Sequence, residues 1–596
     1  MKHKIIIIFA SALLASSCAK QMDYHEYNIY DKDYITLNFS NVGGFMTDIY
    51  NTVPYDFGNF SGGAMQSSAT DESVYSRMGN AIEDFYNGGW SPSNAKSTIW
   101  SSMYKGIATC NDFLTQMQGL KFDDLVLNDD YKQQMYRYEN YKYEARFMRA
   151  FFYFLLVRQY GGVPIVGETM TPQEINVLSR SSSDEVFKYV IDECQAIQDL
   201  IIKDYGDLGD MALPTAETGR ADNLAVLALK ARAALYWASP LFNPSADKER
   251  WRTAALYWAS PLFNPSADKE RWRTAALYYK ELVAECDARG KGLSAKYDDL
   301  WSTNNYTDAG IVKEIIFARR YYSSASGDNL VETSNYPVGI EGGAGGNCPT
   351  QNLVDAYDML NGKSIDEDGS GYDEANPYVG RDPRFAMTVA YNGSQWPTYS
   401  GAPLLQTYVG GANAQPISGG TPTGYYLRKL CHGEISLASN GRVKTNFHSY
   451  VHFRMGGIYL DYAEAVFRAL GSADATSSEF PVSARELVSR TRVRVGMPEL
   501  PVGLSSEAFW EKYKNERMVE LAFEGHRFWD VRRWKEADKY FKNIVEMKIT
   551  KRDDGSFSYE RQNVSRQWDD KMYLFPIPQT ETMKNPNLEQ NPGWTR

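Results

Sequence analysis

The chain has 596 residues, 43% hydrophobic and 23% charged, with a formal net charge of −11 and a mean hydropathy of −0.47. A polypeptide of this size and polarity can bury a large core, and its negative field repels phosphate, which argues against nucleic acid or anionic lipid as a ligand. Six cysteines and six histidines are scattered without a C-x-x-C or H-E-x-x-H spacing, so neither a disulfide framework nor a local metal or cofactor site follows.

At the amino end, Lys2 and Lys4 precede an apolar run over residues 5–14, and small residues lead from there to Cys18. The run is too short to span a bilayer and has the layout of a secretory signal over residues 1–17. A lone cysteine after Leu14-Ala15-Ser16-Ser17 marks Cys18 as the lipidated first residue of the mature chain, opening an anchored segment over 18–45. Acyl chains bury methylenes at roughly 0.8 kcal/mol each, so several of them hold a folded domain on a membrane. Loss of two of the 63 basic residues with the signal leaves 61 against 74 acidic ones, a mature charge of −13. Downstream, no stretch reaches the roughly 18 consecutive apolar residues of a transmembrane helix.

Helical periodicity dominates residues 46–301 and 447–596. In 144–159 (EARFMRAFFYFLLVRQ), Phe147, Ala150, Phe151, Phe154 and Leu155 recur at three- and four-residue steps, and Gly161-Gly162-Val163-Pro164 stops the helix. Similar patterns run through 223–237 and 458–470, where alanines allow close approach. They predict antiparallel, tetratricopeptide-like helix pairs, although clean repeats of about 34 residues cannot be counted. Residues 233–253 recur without a change at 254–274. That period is too short for a helix pair and too perfect for an old architectural unit, so it reads as a recent tandem duplication or an assembly error. One copy is expected between its normal neighbours and the other as an extruded helix-loop.

Residues 302–446 lose this periodicity and form a loop-rich insertion. The glycine stretches 339–346 and 410–423 lack the strand and helix flanks of a phosphate loop, and loops on a rigid scaffold are where binding groups sit. In 366–374 (DEDGSGYDE), Asp366, Asp368, Ser370 and Gly371 resemble the start of a calcium loop. Pro377 stands where the closing glutamate would be, which favours a solvated turn.

Near the carboxyl end, residues 515–534 (NERMVELAFEGHRFWDVRRW) place Glu516, Glu520 and Glu524 on one helical face, with Arg517, Arg527 and Asp530 nearby. Paired carboxylates invite a glycosidase reading, but a helix-bound ion-pair ladder needs no substrate and is preferred. Residues 574–594 read as an extended tail tied down by turns.

Together with 100–114 (WSSMYKGIATCNDFL), 144–166, 230–240, 382–385 (DPRF), 454–465 and 490–498, these two motifs make the sequence resemble the SusD/RagB family of outer-membrane nutrient-binding lipoproteins. Eight motifs in the family's order span nearly the whole mature chain; the duplication and the loose lipobox at Ala15 depart from the pattern. The resemblance implies a mostly α-helical SusD-like fold with four tetratricopeptide-like units and a loop-rich ligand-facing half. It also implies no catalytic activity, anchorage on the outer membrane through Cys18, and a SusC-like TonB-dependent transporter as partner. Its ligands would be oligosaccharides or, in RagB-like branches, peptides.

A sugar ring offers an apolar face rimmed by hydroxyls, so its site needs flat aromatics beside hydrogen-bonding groups. Three segments qualify: 71–94, with Asp71, Arg77, Tyr86, Trp90 and Asn94; 319–336, with Arg320, Tyr321, Tyr322 and Tyr336; and Trp396 with Tyr399. In the family the first of these contributes to the ligand face. For each aromatic the competing reading is a cover packed on its own loop. Rival functions are a backbone-pairing peptide groove, a surface hydrolase with two carboxylates about 5 to 10 Å apart across a cleft, and a bare scaffold that binds no small ligand.

Overall fold

A computed structural model describes residues 37–205, 219–243, 269–302, 309–321, 329–438 and 446–595. The signal, Cys18 and Tyr322 lie outside them. Ten helices carry the framework: α1 (Phe39–Asn51), α2 (Trp100–Gln116), α3 (Tyr131–Tyr160), α4 (Ser183–Ile197), α5 (Asn223–Ala238), α6 (Lys269–Ala288), α7 (Met455–Leu470), α8 (Ala484–Arg494), α9 (Ser506–Glu520) and α10 (Arg527–Arg533). From α2 to α9 each helix packs on the next, giving four successive pairs, while α1 lies on α3. This one-dimensional stacking is that of helical repeat proteins and makes the fold mostly α, as the sequence predicts.

Local chemistry sets the helix ends. Ser182 with Glu185 and Ser483 with Glu486 form capping boxes that open α4 and α8. Asp222 caps α5 by accepting the Ala225 N–H at 2.9 Å. α3 ends where Gly161 takes φ +72°, a backbone angle glycine adopts without steric cost, and α7 ends at left-handed Gly471. α5 is buried on every side because alanines 225, 228, 231, 233 and 234 let α4 and α6 approach from either flank.

The repeat enters this array in a composite way. Residues 233–238 of the first copy finish α5, and residues 269–274 of the second copy begin α6, with Trp272 buried. Most of the duplication, including the expected extruded loop, falls in 244–268, outside the described residues.

The other half is built from short pieces. Among the described residues there are four two-stranded antiparallel sheets: β1 (Ser73–Tyr75) with β3 (Asn347–Pro349), β2 (Ile315–Tyr321) with β6 (His448–Arg454), β4 (Val389–Ala390) with β5 (Tyr426–Leu427), and β7 (Asn543–Lys551) with β8 (Phe557–Ser565). A second apolar core, with Trp301, Leu353, Tyr357, Phe385 and Tyr426, packs on Met518 and Val519 of α9 and on Met547 and Ile549 of β7. Among the described residues no helix is long and apolar enough to cross a membrane. Cys110, Cys194, Cys286, Cys348 and Cys431 are free and buried.

Candidate functional site

The residues singled out from the sequence divide into buried supports and accessible groups. Asp71 is 2% exposed and accepts two hydrogen bonds from Arg527, at 2.9 and 2.7 Å. Trp90 is 3% exposed, with Phe85, Phe575 and Trp594 packed around it at ring separations of 4.6, 4.6 and 5.2 Å. Tyr336 and Trp396 do come together, edge to face at 5.7 Å, but inside the second core; the Tyr336 hydroxyl donates to the His432 carbonyl. These three rings present no platform to solvent, because the carboxyl-terminal tail and the loop core have already covered their faces.

Arg77 is exposed and donates to the Ala344 carbonyl at 3.4 Å. It thereby ties the 71–94 segment to the glycine loop at 339–346. That loop approaches 410–423 so closely that a Cβ on Gly345, which has φ +92°, would meet the Gly419 carbonyl oxygen at 2.1 Å. Asn94 is half-buried and closes its own turn, donating to Asp84 at 3.1 Å and to the Gly89 carbonyl at 2.7 Å. Half-buried Tyr86 carries the Arg566 guanidinium 4.1 Å above its ring. On β2, Arg320 pairs with Ser449 and places its guanidinium 5.5 Å from the Phe447 ring; Tyr321 closes the strand opposite His448. In 366–374 the chain makes turns, with Ser370 Oγ donating to the Ile365 carbonyl at 3.1 Å. Among the described residues no group of three His, Cys, Asp or Glu is arranged to hold a metal.

The acidic triplet is structural, but the helix-bound ladder is not how it is satisfied. Glu516 accepts from Arg384 at 2.5 and 3.0 Å and from Arg492 at 3.2 Å. Glu520 receives Arg384, Arg454 and Arg494 at 2.9, 2.7 and 2.6 Å; Glu524 receives Arg454 and Lys429, each at 2.7 Å. Arg517 turns to Asp461 and Asp530, both at 2.6 Å. Three like charges at four-residue steps repel one another, so their cations come from other elements.

Sequence reasoning missed a cavity of about 220 Å³ at the seam between the two halves. It is bounded by the carboxyl end of α3, by α5 and β6, by the turn before α10, and by the segments 54–66 and 97–99. Asn59 and Thr98 stand exposed at its rim, while Tyr55, Tyr236, Tyr450 and Trp529 supply ring surface. These parts come from six stretches of chain, and no local motif signals them.

Its electrostatics are uneven. Asp56 accepts the backbone N–H groups of Gly58, Phe60 and Gln66 at 3.2, 3.3 and 2.6 Å, yet burial still pushes its carboxyl up to about 6. Glu524 is held below the usual carboxylate range by Arg454 and Lys429, against the opposing effect of burial. Arg232 is paired with Asp461 at 3.2 Å. Burial, then Arg158 and Arg232, pull His452 down to about 3, and burial with the surrounding arginines also holds His526 neutral. Protein donors already occupy the oxygens of both wall carboxylates, which leaves neither placed as a general acid or base toward a ligand.

A stacked array of helix pairs bearing a loop-built second half defines the SusD-like class of helical-repeat proteins. Two regions of the chain match family models, residues 313–594 that of the SusD family and residues 31–232 that described as starch-binding associating with outer membrane. The chain belongs to the SusD/RagB family, and association with the outer membrane goes with it. It is 24% identical over 523 residues to a SusD-like protein of Formosa agariphila, covering 84% of this chain and 80% of that one. A SusD-like protein of Bacteroides fragilis superposes with a TM-score of 0.72 at 24% identity, covering 94% of this chain and 98% of the other. A SusD-like carbohydrate binding protein of the same organism gives 0.69 at 22%, covering 93% and 100%.

Proposed function

We propose that this protein is a non-catalytic glycan-binding lipoprotein, anchored through Cys18 on the outside of the outer membrane, that captures oligosaccharide and delivers it to a SusC-like TonB-dependent transporter. The observation that carries this reading is the family match on both parts of the chain. It is supported by a structural neighbour described as carbohydrate binding, and by carboxylates that are consumed in ion pairs rather than poised across a cleft. Arg77, Asn94 and Arg320 supply hydrogen-bonding groups at the ligand face, and Tyr321 and Tyr322 supply its rings. Asp71, Trp90, Tyr336 and Trp396 hold that face from beneath.

Titration calorimetry of the mature chain with Cys18→Ala against a panel of neutral oligosaccharides tests this. Saturable binding with the sugars recovered intact is expected. Oligosaccharide cleavage at enzyme-like rates overturns it, and binding of peptides in place of sugars shifts it to the RagB-like alternative.

A further inference from the structure

Three arginines on or near the seam have acids. Arg232 has Asp461, Arg527 has Asp71, and Arg454 has Glu520 and Glu524. Arg158, in the last turn of α3, has none: among the described residues no carboxylate lies within 4.0 Å of its guanidinium, and its buried Nε has no hydrogen-bond partner. One face of the guanidinium lies on Trp529, 4.2 Å from the ring centroid, and Phe154 stands 5.6 Å away. Cation-ring stacking fixes the plane of the group, and its donor edge meets the Tyr236 hydroxyl rather than a carboxylate. A half-buried cation without a counter-ion is unfavourable, and here it borders an open cavity rather than solid core.

We propose that this cavity is a subsite for a uronic acid residue of an incoming glycan, with the sugar carboxylate forked by Arg158. The inference rests on the glycan-binding reading above. Guanidinium and carboxylate match in a bidentate, charge-assisted geometry. His452 Nε2, also buried and unpartnered, is a second polar group on the cavity wall. Tyr236 and Tyr450 offer surface for the apolar face of a pyranose, and Gln66 and Thr98 hydrogen-bonding groups for its hydroxyls. Asp56 and Glu524 do not compete for Arg158, since backbone N–H groups hold the first and Arg454 with Lys429 the second. A neutral sugar would fill the same space but leave Arg158 without its charge partner.

Calorimetry on the mature chain with glucuronate, galacturonate and a uronate-containing disaccharide, set against glucose, the matching neutral disaccharide and acetate, tests this. The uronate sugars are expected to bind at least tenfold more tightly than their neutral counterparts, and Arg158→Gln to erase that difference while Arg158→Lys keeps part of it. Acetate binding as tightly as the uronates overturns the sugar assignment. Equal affinity for acidic and neutral sugars, or a difference that survives R158Q, overturns the subsite. Should R158Q fail to fold, Thr98→Trp, which fills the exposed rim, is expected to remove uronate binding with an unchanged melting temperature; retained binding overturns the subsite. Neutral oligosaccharide bound with uronate ignored defeats this inference alone, whereas no glycan bound at all defeats the functional reading with it.

Discussion

Asp71 and Arg527 stand 456 positions apart in sequence and meet as a buried bidentate pair. The contact pins the segment ahead of β1 to the first turn of α10. Removing one partner leaves the other as an uncompensated buried charge, so Asp71→Ala is expected to cost about 3–5 kcal/mol. Equilibrium urea unfolding measures it, and a loss under about 1 kcal/mol would show that the pair holds nothing together.

The next residue makes an opposite prediction. Glu72 accepts one long hydrogen bond, 3.4 Å from the Phe523 N–H, and its second oxygen is buried without a partner. Burial, then the neighbouring Asp71, push its carboxyl up to about 8. The folded value lies above the unfolded one of about 4.3. The stability tied to its proton is therefore complete below pH 4 and is lost as pH climbs toward 8. Glu72→Gln removes that loss, and its advantage over wild type should widen by up to about 1.4 kcal/mol per pH unit between pH 5 and pH 8. Denaturation at the two pH values decides it, and a gap of constant size would contradict the assignment.

The helical frame was legible in sequence because its signal is local. Phe147, Phe151, Phe154 and Leu155 announce the buried face of α3 within a few residues of one another, and Gly161 marks its end. What could not be read was which long-range partner claims each side chain. Trp90 looks like a sugar platform until Phe575 and Trp594 fold over it from the other end of the chain. Glu516, Glu520 and Glu524 look self-sufficient beside Arg517, yet their cations arrive from residues 384, 429, 454, 492 and 494. The seam cavity escaped notice because none of its six contributing stretches carries the pattern alone.

Trp90 and Arg77 should accordingly part company on substitution. Trp90→Ala empties a packed aromatic cluster and is expected to cost about 3–5 kcal/mol, with any fall in glycan binding following the unfolded fraction. Arg77→Ala should change stability by no more than about 0.5 kcal/mol and weaken binding at the loop-built face. Parallel melts and titrations compare them. A stable W90A protein that loses its ligand would return Trp90 to the site.

The duplication permits a clean deletion. Any 21-residue window removed from 233–274 yields the same chain, because the copies are identical. The remaining link between Asn243 and the start of α6 would be four residues, within the roughly 2–8 usual between packed helices. Arg271 already donates to the Trp237 carbonyl at 3.3 Å, so the two helix ends lie close. The shortened protein should melt at or slightly above the parent temperature, since a shorter loop costs less entropy to close. Insolubility or a large drop on deletion would mean that the extra copy has become part of the core.

The convergence of Arg384, Arg454 and Arg494 on Glu520 also dictates an order of events in biosynthesis. Arg384 has Asp382, and Arg454 and Arg494 have Glu314, before the ribosome reaches Glu520, so the acid on α9 is a later, shared partner of all three. Until α9 emerges these pairs lack their common acid, so the junction between the halves closes only once that helix is made.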